Sequence, residues 1–230
     1  MADDGARLVL GADGCKGGGW VVAMIDGERE LSWGWASDTS VLLAMADEYD
    51  ADAVALDVPI GLPPLGGRRS CDALAAARLG ARRSSVFPAP PREVLTCVDY
   101  ASARVVAPSL SAQAFGLVPR IREVDDALRV RGKEVHARVV ECHPETAFAA
   151  MSAGRLALAT KKSAAGALQR LRLLGELLDD VPPDVPAGAS LDDALDAAAC
   201  ALVALRWVSG EAEVLGDEVD ALGVPMRIVT

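Results

Sequence analysis

The sequence has few aromatic residues, five scattered cysteines and a deficit of basic residues. Aromatic side chains make up 4% of the 230 residues, too few for an extended platform that stacks single-stranded bases. Lysine and arginine number 23 against 33 aspartates and glutamates, and the net charge of −10 argues against a surface that clamps nucleic acid throughout. The cysteines contain no Cys-x-x-Cys pair, so we expect reduced thiols in a cytoplasmic protein rather than disulfides or structural zinc.

Long hydrophobic runs are also lacking. The longest run extends from Ala197 to Leu205, between Asp196 and Arg206, and is too short to span a bilayer. The first residues have no basic segment followed by an apolar core, so no secretion signal is predicted. We therefore expect a protein that does not contact a membrane.

The chain nevertheless contains enough apolar residues for one well-packed domain, since it is 51% hydrophobic with a mean hydropathy of +0.24. The pattern predicts a three-strand meander, a helix, and a fourth strand that pairs in parallel with the first. We interpret residues 1–230 as a single α/β domain with a helical and loop insertion at about 61–132. The predicted strands are 7–13, 20–25, 30–35, 53–57, 137–142 and a closing strand at 226–229; the predicted helices are 38–49, 70–80, 113–131, 144–151, 162–178 and 191–208.

Two aspartates end predicted strands that should lie side by side. Asp13 ends the first strand and Asp57 ends the fourth, so both carboxylates are expected at the carboxyl edge of the sheet, where open α/β sheets bind ligands. Two close anions repel unless a cation lies between them, and oxygen ligands favour Mg²⁺ or Mn²⁺. Each aspartate alone is equally consistent with an ordinary turn.

The last long helix adds further carboxylates. Ser190 is a typical N-cap with Asp193 at the third helical position, so Asp193 can be explained as part of a capping box. Asp196 lies on the stripe expected to pack against the sheet, where an unpaired carboxylate would cost several kcal/mol, so it should be paired or bound to metal. We predict Asp193 and Asp196 as catalytic and metal-binding residues together with Asp13 and Asp57.

The end of the fifth predicted strand, Glu141-Cys-His-Pro-Glu145, carries two more candidates. Glu145 could act at the same edge as a catalytic carboxylate and His143 as a proton-transfer group, although both can equally stabilise the start of the next helix. Cys15 and Cys142 lie near this edge, but no base partner supports a thiol nucleophile.

The predicted insertion has the opposite charge. Six arginines lie between residues 68 and 92 against a single acid, and arginine suits bidentate contact with phosphate. Any one of them can instead be solvated or paired within the protein, and a lysine pair at 161–162 is a weaker signal. The predicted phosphate- or substrate-binding residues are Lys16, Arg68, Arg78, Arg82, Arg83, Ser84, Ser85, Arg92 and His143.

These motifs, taken together, resemble the family of uncharacterised, predicted ribonuclease H-like nucleases over nearly the whole chain. The resemblance implies a ribonuclease H-like mixed sheet of five strands in the order 3-2-1-4-5, with helices on both faces. The motifs that carry it are Gly11-Ala-Asp13-Gly-Cys-Lys-Gly-Gly-Gly-Trp20, Asp57-Val-Pro-Ile-Gly-Leu-Pro63, Cys71-Asp72, Arg78-Leu-Gly-Ala-Arg82, Ser84-Ser-Val-Phe-Pro-Ala-Pro90, Gln113-Ala-Phe, Ile121-Arg-Glu-Val-Asp125, Glu141-Cys-His-Pro-Glu145 and Asp192-Asp-Ala-Leu-Asp-Ala197.

The activity that this resemblance implies is hydrolysis of phosphodiester bonds by a two-metal mechanism. Asp193-Ala-Leu-Asp196 resembles the Asp-x-x-Asp pair in the final helix of Holliday-junction resolvases of the same superfold. Those resolvases carry a glutamate at the position that corresponds to Asp57. The expected cofactor is Mg²⁺ or Mn²⁺, with Asp13 as a ligand shared by the two ions. The expected substrate is nucleic acid or a nucleotide. A homodimer is also implied, although no residue pattern marks an interface.

Two other functions remain open at this point. A phosphotransferase or nucleotide hydrolase of the same superfold would normally need a duplicated domain, and the glycine-rich residues 14–19 match neither the Walker nor the Rossmann pattern. A non-catalytic module that binds a nucleotide or a protein would also fit the acidic charge and low aromatic content.

Overall fold

The protein is built on a mixed sheet of five strands, described here from a computed structural model that covers residues 8–153 and 158–230. The strand order β3-β2-β1-β4-β5 confirms the predicted fold class. β1 is antiparallel to β2 and parallel to β4, which is itself parallel to β5. The start of the first predicted strand, at residue 7, lies outside the described residues. The strands are β1 (Val9–Gly14), β2 (Trp20–Ile25), β3 (Leu31–Ala36), β4 (Ala53–Leu56) and β5 (Val139–Glu141).

Helices cover both faces of this sheet, and most lie where the apolar spacing predicts them. The segment between β4 and β5 is helical and irregular as expected, but α3, α5 and two short 3-10 helices were not predicted, because they are too short to show a periodic pattern. The helices are α1 (Thr39–Glu48), α2 (Ser70–Leu79), α3 (Tyr100–Val106), α4 (Ala112–Arg131), α5 (Val135–Arg138), α6 (Pro144–Ser152), α7 (Ala164–Gly175) and α8 (Leu191–Val208), and the 3-10 helices are Gly80–Ser85 and Arg92–Thr96.

Two hydrophobic cores sandwich the sheet because side chains alternate along each strand. On one face, Leu10 and Leu56 pack with helices α1 and α4. On the other face, Val9 and Ala55 pack with α6, α7 and α8. The alternation assigns the odd-numbered residues of both β1 and β4 to the α8 face, and this assignment decides where the carboxylates after those strands point.

Helix α8 lies unusually close to β1. A Cβ atom added at Gly11 would lie 1.9 Å from the backbone nitrogen of Ala201 and 2.3 Å from the carbonyl oxygen of Ala197. Only glycine at this position leaves room for the helix backbone. The small residues of α8 that lie against Gly11, Ala197 and Ala201, are fully buried, so the helix lies almost directly on the strand.

Replacing Gly11 with alanine should therefore weaken the fold. We expect the free energy of unfolding to fall by about 1–3 kcal/mol, the usual cost of overpacking a core, as measured by urea denaturation. Gly17→Ala is the matched control, because a Cβ there would meet nothing within 4 Å. Equal midpoints for the two variants would show that α8 shifts away from β1 without cost.

A separate two-stranded ribbon follows α8. It pairs β6 (Val214–Val219) antiparallel with β7 (Pro225–Val229). The predicted closing strand therefore exists, but it pairs with β6, a strand that the sequence did not reveal, and meets the end of β5 through a single bridge between Cys142 and Val229. Among the described residues, no helix is long and apolar enough to cross a membrane.

Candidate active site

Three carboxylates meet at the edge of the sheet where β1 and β4 end. The parallel register pairs Ala12 with Leu56, so the next residues on each strand, Asp13 and Asp57, are neighbours. Both follow the alternation toward the α8 face. Asp196 projects from α8 to the same place, and each of the three aspartates offers a carboxylate oxygen within 4.8 Å of the others.

Asp196 is the most deeply buried of the three carboxylates, with 1% of its surface exposed. Its Oδ2 accepts a hydrogen bond from the Lys161 ammonium, while its Oδ1 is buried without a hydrogen-bond partner in the described structure. A buried carboxylate oxygen normally has a donor or a cation beside it. The unpartnered oxygen, in a cluster of oxygen ligands only, therefore fits a divalent metal ion.

Burial and mutual repulsion make these acids hard to ionise. Burial raises the pKa of Asp13 well above its usual range, and the charges of Asp57 and Asp196 raise it further. Burial likewise raises the pKa of Asp57 to about 6 and that of Asp196 to about 7, against the opposing effect of Lys161. A divalent cation would reverse this balance, because it stabilises the ionised carboxylates.

Lys161 is the cation that the structure places at this cluster. Burial alone would lower its pKa, but the charge and hydrogen bond of Asp196, with the charges of Asp13 and Asp57, raise it above the usual value. The ammonium is therefore charged at neutral pH. Lys161 precedes α7, and the lysine pair at 161–162 is equally typical of a solvated helix start, so its place at this cluster is only weakly indicated by sequence.

Asp193 has a structural position of its own in α8. Its carboxylate accepts a hydrogen bond from the backbone N–H of Ser190 at 2.9 Å, and the Ser190 hydroxyl accepts one from the backbone N–H of Asp193. This reciprocal pair is the capping box recognised in the sequence. Asp193 does not belong to the group of three acids within 4.8 Å.

Glu145 lies beside the three aspartates but is already paired. Arg170 of α7 donates to its Oε1 at 2.6 Å, and Arg82 pairs with its Oε2. Arg170 is fully buried and also donates to the carbonyl oxygens of Ala159 and Gly166. Sequence reasoning missed Arg170; its only signal was an arginine on the apolar stripe of an amphipathic helix.

A second buried ion cluster shapes the loop after Asp57. Arg69, 2% exposed, donates to Glu141 at 2.7 Å and also pairs with Asp72. Glu141 also accepts the backbone N–H of Ile60 at 2.7 Å, and burial raises its pKa to about 7 despite Arg69. The cluster ties β5 to α2 and fixes the chain immediately downstream of Asp57. None of these three residues was predicted at the site.

A cavity of about 530 Å³ adjoins the carboxylates. Its walls come from the loop after β4, the Gly80–Ser85 turn, the start of α6, the residues before α7, and α8. The predicted residues Asp57, Glu145, Asp196, Arg82, Ser84, Ser85 and His143 line it, together with Val58, Pro59, Arg69, Asp72, Ala81, Val86, Phe87, Leu117, Glu141, Cys142, Pro144, Thr160, Lys161, Lys162 and Ile228.

The other predicted phosphate-binding residues do not line this cavity. Arg78 pairs with Glu213 and donates to the Thr230 hydroxyl, and Arg92 joins Asp125 to Asp220 at 2.7 and 2.6 Å. Both arginines therefore connect elements of the fold. Lys16, Arg68 and Arg83 are exposed, and Arg68 lines a separate proline-rich groove.

His143 precedes α6 as its N-cap residue but its side chain does not cap the helix. Its Nε2 lies 3.3 Å from the carbonyl oxygen of Ser85, and its Nδ1 is buried without a partner in the described structure. Burial lowers the pKa of His143, so the ring is neutral at pH 7. A neutral imidazole on the wall of the cavity can take up or release a proton.

The thiols near the site are unsuited to nucleophilic attack. Cys15 and Cys142 are buried, and burial raises the pKa of both thiols. Because the thiolate is the reactive form, both side chains stay inert at neutral pH. This agrees with the absence of a base partner in the sequence.

Comparison with known proteins identifies a family but no activity. A family model described as "Protein of unknown function (DUF429)" matches residues 11–221, which include Asp13, Asp57 and Asp196. No curated protein and no solved structure matches the chain.

Proposed function

Because the chain belongs to the DUF429 family of unknown function, we propose an activity from its own site: metal-dependent hydrolysis of a phosphodiester bond. The observation that carries the proposal is the cluster of three carboxylates at one edge of the sheet, in which a buried oxygen of Asp196 has no hydrogen-bond partner among the described residues. Phosphate esters carry negative charge, so an acidic cluster can approach them only with a cation between. The adjoining cavity, lined by both basic and acidic side chains, supplies the space for such a substrate.

Mg²⁺ or Mn²⁺ is the cofactor proposed for this site, and it would acidify water and neutralise charge on the phosphoryl group. Asp13, Asp57 and Asp196 would hold it through oxygen atoms. The ribonuclease H-like resemblance implies two ions, with Asp13 shared between them and Asp193 as an additional ligand. The net charge of the three ionised carboxylates and the Lys161 ammonium is balanced by one divalent ion. A second ion would compete with the ammonium for the carboxylates.

The remaining side chains of the cavity have separate roles in the proposal. In the reaction, a water oxygen bonds to phosphorus and the water loses a proton, while the ester P–O bond breaks and the leaving oxygen gains a proton. Neutral His143 can accept the proton of the water and, as imidazolium, donate it to the leaving oxygen. Lys161 and Arg82 line the cavity and would lie next to the oxygen atoms of a bound phosphate. Glu145 serves as a positioning residue, because it holds Arg82 through their ion pair.

The test compares wild type with Asp13→Asn for Mn²⁺-dependent cleavage of branched DNA, single strands, RNA–DNA hybrids and a chromogenic small phosphodiester. We expect wild type to cleave at least one of them and Asp13→Asn to lose that activity, because an amide is a weaker metal ligand than a carboxylate. Asp52→Asn is the control, since Asp52 is exposed and outside the cluster. Equal activity of wild type and Asp13→Asn would refute the proposal, and binding of metal without any cleavage would favour a non-catalytic module.

A further inference from the structure

The cavity beside the carboxylates has the dimensions of a small-molecule site. Its volume of about 530 Å³ falls within the range of about 300–1,000 Å³ typical of pockets that enclose one small ligand. A protein that recognises a nucleic acid duplex uses a broad, positively charged surface, of which about 1,000–2,500 Å² is buried in the complex. A cavity of this volume therefore accepts a single nucleotide unit more readily than a duplex.

The walls of the cavity divide into a polar part and an apolar part. Lys161, Lys162 and Arg82 bring positive charge to it, Lys161 and Arg82 in ion pairs with Asp196 and Glu145, and the hydroxyl residues Ser84 and Thr160 provide hydrogen-bonding groups. These groups suit the phosphate and the sugar of a nucleotide. The two lysines follow one another along the chain and precede α7, so one short segment brings both charges to the cavity.

Phe87 supplies the face that a base requires. It lines the cavity, and 42% of its surface is exposed, so the protein core leaves part of this aromatic residue accessible. Val58, Leu117 and Ile228 contribute further apolar surface to the same cavity. An aromatic ring that is free on one side stacks any base, whatever its sequence.

Charge outside the cavity disfavours a polymeric substrate. The whole chain carries a net charge of −10, and two arginines of the basic segment, Arg78 and Arg92, are engaged by acids of the protein. A nucleic acid strand that extends beyond the cavity would therefore meet a largely acidic protein. A free nucleotide carries its charge into the cavity, next to the lysines.

From these observations we infer that the cavity binds one free, small nucleotide, with its phosphate toward the carboxylate cluster and Lys161 and its base against Phe87. The inference deepens the proposed function, on which it rests for the chemistry, by naming a small nucleotide phosphodiester as the substrate class in place of DNA or RNA. Binding itself does not depend on turnover, so the two can be tested separately.

The test measures binding to wild-type protein by calorimetric titration in the presence of Mn²⁺. The probes are 5′-AMP, ribose 5-phosphate, adenosine and a single-stranded DNA 20-mer. We expect 5′-AMP to bind at least tenfold more tightly than ribose 5-phosphate, which lacks the base, and than adenosine, which lacks the phosphate. Equal binding of 5′-AMP and ribose 5-phosphate, or tighter binding of the 20-mer than of 5′-AMP, would overturn the inference.

Phe87→Ala should weaken 5′-AMP binding by about tenfold, the usual effect of removing one stacking ring, and leave ribose 5-phosphate binding unchanged. Tyr49→Ala is the matched control, because Tyr49 is an exposed aromatic residue outside the cavity. Phe87→Leu keeps the apolar bulk without the ring face and guards against misfolding of the alanine variant. Unchanged 5′-AMP affinity in both Phe87 variants would contradict the inference.

The cleavage assay separates this inference from the proposed function. Tight 5′-AMP binding without hydrolysis of any phosphodiester would uphold the nucleotide site and refute the hydrolase. Cleavage of oligonucleotides by a wild-type protein that does not bind 5′-AMP would uphold the hydrolase and refute the nucleotide site.

Discussion

Addition of Mn²⁺ is expected to stabilise this protein much more at pH 8 than at pH 5. At pH 8 Asp57 and Asp196, whose pKa values burial raises to about 6 and about 7, are ionised and repel each other, and at pH 5 protons neutralise most of that charge. At a Mn²⁺ concentration 100-fold above its Kd, binding contributes about 2.7 kcal/mol. For a domain of this size that corresponds to a rise in Tm of roughly 5–10 °C at pH 8, measured by scanning calorimetry, and a smaller rise at pH 5.

The same groups set the direction in which pH changes the stability of the metal-free protein. The folded-state pKa values of Asp57, about 6, and Asp196, about 7, lie above the ordinary value of 3.8, so the native state binds more protons than the unfolded state. The stabilisation is complete below about pH 4 and is lost as pH rises through 6 and 7. For Asp196 alone the difference corresponds to about 4 kcal/mol. In EDTA, the free energy of unfolding should fall over this range as these groups ionise.

Asp13→Asn tests both expectations. The variant removes one of the three repelling charges, so its stability in EDTA should decline less steeply with pH than that of wild type. It also removes a metal ligand, so Mn²⁺ should raise its Tm little at either pH. A Mn²⁺-dependent rise that is equal at pH 5 and pH 8, or equal in wild type and Asp13→Asn, would show that the metal binds elsewhere.

The convergence of the acids could be predicted because it follows from local rules. Parallel pairing of β1 with β4 places Asp13 and Asp57 side by side, whatever the details of the loops. Asp196 could be assigned to the buried face of α8 from its spacing. Asp193 could not be classified in advance, since a capping residue and a metal ligand have the same sequence pattern at the start of a helix.

The basic residues around the acids could not be predicted in the same way. Arg68 and Arg69 are adjacent, yet Arg68 is exposed and Arg69 is fully enclosed by Glu141 and Asp72. The difference depends on where β5 places Glu141, more than 70 residues away. Lys161, which precedes α7, reaches Asp196 of α8 through a tertiary contact that no periodic pattern encodes.

Some motif residues prove to connect elements of the fold. Glu123 of α4 accepts hydrogen bonds from the indole N–H of Trp20 at 3.1 Å and from the backbone N–H of Thr39 at 2.8 Å. It thereby fixes the beginnings of β2 and α1 from a single side chain. Asp125, two residues further along α4, pairs with Arg92. Such residues hold the sheet edge in place without lining the cavity.

Lys161→Met should destabilise the metal-free protein and should increase its affinity for Mn²⁺. Without the ammonium, the buried carboxylate of Asp196 loses its cation, and removal of one partner of a buried pair costs about 3–5 kcal/mol. Because the Lys161 side chain is 34% exposed, water screens part of this pair, and we expect a loss nearer 2 kcal/mol in EDTA at pH 8. Urea denaturation measures this difference.

In the same variant, Mn²⁺ should bind at least tenfold more tightly than in wild type. The wild-type ammonium competes for the charge of Asp196, Asp13 and Asp57, so its removal leaves more negative charge for the metal. Lys162→Met is the matched control, because Lys162 is the adjacent lysine, exposed and outside the ion pair with Asp196. Calorimetric titration gives affinity and stoichiometry together. Weaker Mn²⁺ binding in Lys161→Met than in Lys162→Met would contradict the prediction that the Lys161 ammonium and Mn²⁺ compete for the carboxylates. It would mean instead that the ammonium orients Asp196 for the metal.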